Sequence, residues 1–162
     1  MKALVVYDSL YGNTEKVAKA IAGAISRESR AIGAGEAGHS GLKNFDCIIV
    51  GSPTHAGRPT PAMQKFLAGI PAGSLRNVGV AAFDTRVSKK EAGFFLRLVI
   101  NFFGYANFFD YAAPYIADGL RGAGGRMIAP PEGFCVAGKR GPLGEGELER
   151  AKKWAATLAE KS

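Results

Sequence analysis

Three short runs, Ala3-Leu4-Val5-Val6-Tyr7, Cys47-Ile48-Ile49-Val50 and Val78 through Phe83, are apolar at every position rather than at alternate ones. A strand with no polar face is covered on both sides, which is the condition of a strand inside a parallel sheet. Between these runs the pattern turns helical. From Glu15 to about Ser26, Val17, Ala18, Ile21, Ala22 and Ile25 form one stripe, with Lys16, Lys19 and Glu28 off it. Strands alternating with helices give a parallel sheet joined by right-handed crossovers.

The rest of the chain fills out that scheme. A short second strand is expected near Arg30–Gly33, followed by a glycine-rich loop from Ala34 to Lys43. The third strand, Cys47–Gly51, closes at Ser52-Pro53-Thr54, and a helix over Pro61–Ala68 starts on a proline at its first turn. The fourth strand spans Val78–Phe83, and helical patterns follow over Lys89–Phe103 and Asn107–Arg121. A fifth strand lies near Arg126–Ala129, continued by Gly133–Ala137. A last amphipathic helix over Glu145–Lys161 buries Leu148, Trp154, Ala155 and Leu158. The 162 residues read as one domain, 1–162, with no linker or repeat. The expected architecture is α/β, a three-layer αβα sandwich on a doubly wound, five-stranded parallel sheet, for which 2-1-3-4-5 is one of the two common strand orders. About 40 residues separate the fourth strand from the fifth, more than one crossover helix needs, so a helical insertion is expected at about 94–112.

Composition removes several classes of function. The two cysteines, Cys47 and Cys135, form no CxxC or Cys/His cluster, so no metal site is expected. The net charge is +7, but the 21 lysines and arginines are scattered, with no run longer than two. That reads as a solvated basic surface and not as a nucleic-acid patch. The two histidines, His39 and His55, complete no catalytic triad, and no GxSxG elbow occurs. The glutamates at 145, 147 and 149 open the last helix, where acidic groups favour the dipole. Met1-Lys2 leads straight into a strand without the apolar stretch of a signal peptide, so a cytoplasmic location is expected.

In an open α/β sheet, ligands sit beyond the carboxyl ends of the strands. The first such loop, Asp8-Ser9-Leu10-Tyr11-Gly12-Asn13-Thr14, offers hydroxyls, an amide, a glycine and the orphan N–H groups of a helix start. It holds no cation. Neither GxxxxGK[ST] nor GxGxxG stands in this loop, so a triphosphate or dinucleotide loop is unsupported here. Such a loop suits one terminal phosphate, although Ser9 and Thr14 could equally serve as helix caps.

Ser9-Leu10-Tyr11-Gly12-Asn13-Thr14 resembles the [ST]-x-[STY]-G-[NT]-T phosphate loop of the flavodoxin family, in the family's position after the first strand. The resemblance implies the flavodoxin-like strand order 2-1-3-4-5 and FMN as cofactor, its 5′-phosphate held by Ser9, Leu10, Tyr11, Gly12, Asn13 and Thr14. The second loop, Ser52 to Pro59, resembles the G-S-P-T-x-x-G segment of flavodoxins and of related quinone reductases. By that resemblance Pro53, Thr54, His55, Ala56 and Gly57 contact the flavin ring. No large aromatic stands on this loop, and His55 is either a stacking partner or a solvated side chain. The third loop, Ala82 to Arg86, matches the family's second ring-contacting loop. Phe83, Asp84, Thr85 and Arg86 are its candidates, with Asp84 an acceptor for the ring N3–H, Arg86 otherwise a surface partner of Asp84, and Phe83 also readable as core.

The functions implied are three. The first is an electron carrier working with a redox partner protein or a small electron acceptor, with no catalytic acid or base. The second is an NAD(P)H-dependent FMN quinone reductase or related oxidoreductase, and the third a flavin-free interaction module. Arg58, Arg86, Lys89 and Lys90 around the site, against Asp84 and Glu91, imply a less negative potential than an acidic flavodoxin would have. The aromatic stretch 94–111 is wider in its apolar face than one core requires, and it suits self-association, a partner, or peripheral contact with a membrane.

Overall fold

The computed structural model describes residues 1–87 and 111–161. The helix expected over Lys89–Phe103, the first residues of that over Asn107–Arg121, and nearly all of the insertion and of the aromatic stretch lie outside them.

Strands β1 (Ala3–Tyr7), β2 (Arg30–Gly33), β3 (Cys47–Pro53), β4 (Gly79–Val87), β5 (Arg126–Met127) and β6 (Glu132–Val136) form one parallel sheet. Its order is β2-β1-β3-β4-β5, the order expected, with β6 pairing β4 beyond β5. Six strands thus occupy five positions. β5 pairs Gly79 and Val80, and β6 pairs Phe83 through Val87. The interruption falls at Pro130-Pro131, which lack the N–H a ladder needs. The fourth strand also runs four residues past the expected end at Phe83, because β3 pairs it up to Thr85 and β6 up to Val87. Ala82 to Arg86 is therefore strand and not loop.

Helices α1 (Asn13–Ile25), α2 (Pro61–Gly69), α3 (Ala112–Gly122) and α4 (Glu147–Lys161) cover the sheet. One core packs the apolar stripes of α2 and α3 on Leu4, Val6, Ile48, Val50, Val80 and Ala82. The other packs α1 and α4 on Val5, Ile49, Ala81 and Phe83. On α4 the buried residues are Ala151, Ala155 and Leu158, with Trp154 partly buried. Leu148, expected inside, is 39% exposed: it stands in the first turn of α4, which begins at Glu147. Cys47 is buried, and desolvation raises its thiol to about 12, so it acts as a small hydrophobe. His39 pins the glycine-rich loop to α2, stacking on Phe66 and sharing a hydrogen bond with the Phe66 carbonyl at 2.9 Å.

The outer edge of β6 is tied to α4 through side chains. The Cys135 N–H donates to Glu147 Oε2 at 2.7 Å, and Gly133 N–H donates to Glu132 Oε1 at 2.9 Å. Arg150 donates to the Gly133 carbonyl and pairs with Glu132 and Glu147. The Cys135 carbonyl accepts from Gly144 N–H at 2.8 Å. Burial pushes the Glu147 carboxyl up, but Arg150 and the Cys135 N–H outweigh it and hold it below its ordinary range.

Phe83 is fully buried and meets Phe134 and Trp154 edge-on, at 5.9 and 6.3 Å between ring centroids. Its ring fits because residue 51 is glycine: a Cβ there would lie 2.0 Å from Phe83 Cζ. Gly51→Ala should overpack this core and destabilise the fold by about 1–3 kcal/mol. A urea midpoint unchanged from wild type would show that the ring has room to move.

Candidate functional site

The sheet register brings the ends of three strands to one side of the sheet. Tyr7 pairs with Gly51, Ser52 with Asp84, and Pro53 with Thr85, so the segments after β1 and β3 and the last turn of β4 share one edge. Hydrogen bonds lock each pair together. Thr60 Oγ1 donates to Asp8 Oδ2 at 2.5 Å, joining the first loop to the second. Thr54 N–H donates to the Thr85 carbonyl at 2.8 Å, joining the second to β4. The hydroxyls of Thr14 and Thr85 lie 2.8 Å apart, closing the triangle. Thr14 and Thr85 are both buried, so this last bond is shielded from water.

The first loop turns into α1 through Gly12, whose φ of +84° is the left-handed region that glycine enters without penalty. Ser9 Oγ accepts from the N–H groups of Gly12 at 3.0 Å and Glu15 at 3.3 Å, so it caps the helix start. The backbone N–H groups of Tyr11, Asn13 and Thr14 find no acceptor among the described residues. Those three donors, at the positive end of a thirteen-residue helix, form an anion cradle. Asn13 is buried and its amide donates to the Arg140 carbonyl at 3.1 Å. Leu10 and Tyr11 are half exposed on the rim.

The second loop is a tight hairpin. His55 and Arg58 exchange backbone hydrogen bonds at 2.9 and 3.1 Å around Ala56 and Gly57, whose φ values are +48° and +79°. Two successive positive φ angles define a primed turn, in which glycine is at ease and alanine is not. His55 and Ala56 are exposed, Pro53 and Thr54 half-buried, and Gly57 buried. Arg58 faces solvent.

The four residues from the end of β4 are placed differently from one another. Thr85 and Arg86 reach the shared edge. The Phe83 ring is in the core beneath Gly51, away from the loops. Asp84 is fully buried and its carboxylate is already engaged. It takes a two-point contact from Arg86, Nε to Oδ1 at 2.5 Å and Nη2 to Oδ2 at 2.8 Å, and a hydrogen bond from Ala113 N–H at 2.8 Å. The reading of Arg86 as partner of Asp84 is the arrangement seen, but the pair is internal. Arg86 also lies over the Tyr111 ring at 3.6 Å from its centroid. Thr54 Oγ1 accepts from Ala112 N–H at 2.9 Å, so the second loop and β4 together cap α3.

Burial pushes the Asp84 carboxyl above its ordinary range against the pull of Arg86 and the Ala113 N–H. Arg86→Ala would leave that carboxyl buried without its cation, raising it further. Its folded value would then stand well above the unfolded one, so stability is kept below the unfolded value and lost as pH rises through the folded one. The variant should lose about 3 kcal/mol at pH 7 and distinctly less at pH 4. Urea titrations at the two pH values check this, and an equal loss at both would contradict it.

Two contributors were not legible as such. Thr60, eight residues along from Ser52, holds Asp8, and the 137–142 turn after β6 reaches the first loop through Asn13. The signal for the second was present. The same rule that directs attention to the loops after β1, β3 and β4 applies to the loop after the strand that completes the sheet.

Among the described residues no group of three or more His, Cys, Asp or Glu side chains is assembled to hold a metal, and no helix is long and apolar enough to cross a membrane. No curated protein matches the chain by sequence. Solved structures do. An archaeal flavodoxin superposes with a TM-score of 0.74 at 25% identity, covering 99% of this chain and 98% of that one. Oxidised flavodoxin 1 from Bacillus cereus gives 0.74 at 19% identity over 100% and 99% of the two chains. A flavodoxin, WrbA-like protein from Agrobacterium tumefaciens gives 0.70 at 22% identity over 98% and 95%. The family model for the flavodoxin domain matches residues 4–101, which include β1 to β4 and the three segments that meet at the sheet edge. The chain belongs to the flavodoxin domain family, whose cofactor is FMN.

Proposed function

We propose that the chain, a single domain over 1–162, holds FMN non-covalently and passes electrons between a reductant and a redox partner. The observation that carries this reading is the anion cradle at the start of α1, with three unpaired N–H donors, set against two further segments at the same sheet edge. When bound, FMN supplies the redox chemistry itself. The chain supplies the rest. Ser9, Leu10, Tyr11, Gly12, Asn13 and Thr14 surround the phosphate position. Space for it is open, since a Cβ built on Gly12 meets nothing within 4 Å. Pro53 through Gly57 line one side of the ring position, and Thr85 and Arg86 the other. Asp84 holds Arg86 in place and is not itself a ring acceptor. Phe83 supports the floor from the core.

Charge around this edge favours a reduced, anionic flavin. Arg58 is exposed there, and Arg86 and Arg140 are close, against Asp8 and the already paired Asp84. Purified protein should bind FMN with quenched fluorescence and shifted absorption bands. An apoprotein that takes up no FMN would overturn the reading in favour of a flavin-free interaction module. Arg58→Glu should shift the midpoint potential to more negative values by on the order of tens of millivolts. A potentiometric titration that shows no shift would remove Arg58 from the flavin's surroundings.

A second reading is an FMN-dependent NAD(P)H:quinone oxidoreductase. It is favoured by the second loop, whose tip residue Ala56 is small and exposed and whose residues 52–59 include no Phe, Tyr or Trp. Steady-state oxidation of NAD(P)H with a quinone distinguishes the two. Turnover at enzyme-like rates supports the oxidoreductase, and its absence in FMN-loaded protein supports the carrier.

A further inference from the structure

The first loop offers the phosphate position only neutral groups, and a phosphate monoester carries about −1.5 to −2 charges at neutral pH. The nearest acidic side chains do not help. Asp8 faces Thr60, and Glu15 pairs with Lys19 at 2.6 Å. A cation would have to come from elsewhere in the chain, and the fold delivers one from 127 residues away.

The turn after β6 closes through Ala137 N–H to the Pro142 carbonyl at 2.8 Å and Gly141 N–H to the Gly138 carbonyl at 3.3 Å. Its tip is clamped to the first loop. Asn13 Nδ2 donates to the Arg140 carbonyl, and Gly141 packs so closely that a Cβ there would lie 2.5 Å from Asn13 Nδ2. This places the Arg140 guanidinium over the Tyr11 ring, 5.7 Å from its centroid. The guanidinium is exposed and forms no ion pair among the described residues. Its backbone is therefore fixed beside the anion cradle while its charge is uncommitted. Lys139, its neighbour, makes no such contact with the first loop.

We infer that Arg140 is the cationic contact for the flavin phosphate and sets the chain's preference for FMN over riboflavin. This rests on the FMN reading above. A planar, permanently charged group that can leave a ring face for two phosphate oxygens suits the task better than a lysine that makes no contact there.

The test compares FMN and riboflavin binding to the apoprotein by fluorescence quenching, for wild type, Arg140→Gln, Arg140→Lys and Lys139→Gln. Arg140→Gln should weaken FMN about five- to tenfold and leave riboflavin unchanged. Arg140→Lys, which keeps the charge but not the two-point contact, should fall between wild type and Arg140→Gln, and Lys139→Gln should keep nearly all of the FMN affinity. Wild-type FMN affinity should also fall with added salt more steeply than that of Arg140→Gln. Equal losses for both flavins would show that Arg140 only props the loop through Tyr11, and would overturn the inference. So would no loss in Arg140→Gln, or an equal FMN loss in Lys139→Gln, which would reveal a diffuse field. Wild-type protein that binds neither flavin would overturn the FMN reading itself. Wild-type FMN binding that is indifferent to Arg140 would overturn this inference alone.

Discussion

A parallel sheet buried on both faces leaves its chain little choice of path. Every strand must be followed by a crossover, and every crossover returns to the same starting edge, so the strand ends accumulate together at the other. In this protein the consequence is concrete. β1, β3 and β4 end at the same side of the sheet, each two register steps beyond the one before, and residues about 30 to 70 positions apart in sequence come within hydrogen-bonding distance. Thr14 to Thr85, Thr60 to Asp8 and Thr54 to Thr85 are all short polar contacts made possible by that edge. None would form in an antiparallel meander of the same strands.

Because the contacts are made by hydroxyl and backbone groups, the edge is stiff without being charged. The charge enters one step away. Arg86 is oriented by a buried carboxylate, and Arg140 is oriented by an amide on α1. Each guanidinium is positioned by a neutral or internal partner and also rests near a tyrosine ring. The site therefore gains positive potential from side chains whose anchors are elsewhere in the fold, which leaves the backbone N–H groups at the start of α1 unobstructed.

The two-sided core and the three converging segments could be read from Ala3–Tyr7, Cys47–Val50 and Val78–Phe83, since uninterrupted apolar runs report burial directly, whereas the strand order came with the resemblance of the first loop. The first loop was legible for the same kind of local reason: its residues are contiguous. Asp84 was not. Its sequence neighbours suggest an exposed turn, and only the pairing of β3 and β6 with Thr85 through Val87 shows that the strand continues and takes the carboxylate inside. Leu148 misled for a different reason: its spacing matches that of Ala151, Ala155 and Leu158, but it lies in the first turn of α4, and periodicity does not report how far the core extends towards a helix end. Contacts such as Asn13 with Arg140 are invisible to periodicity, which carries no information between segments so far apart.

The side-chain stitching of β6 to α4 has a bearing on how this protein behaves in company with its own copies. A terminal strand ordinarily presents a row of unpaired amides and carbonyls, and any second chain with a free strand can extend the sheet by binding there. On β6 the outward-facing groups of residues 133 and 135 are all spoken for, by Glu132, Arg150, Glu147 and the Gly144 N–H. The prolines that break β5 from β6 shorten what remains. Fibril-like addition of strands would first have to pull Arg150 and Glu147 away from the backbone, which makes α4 a guard against polymerisation as well as a wall of the core.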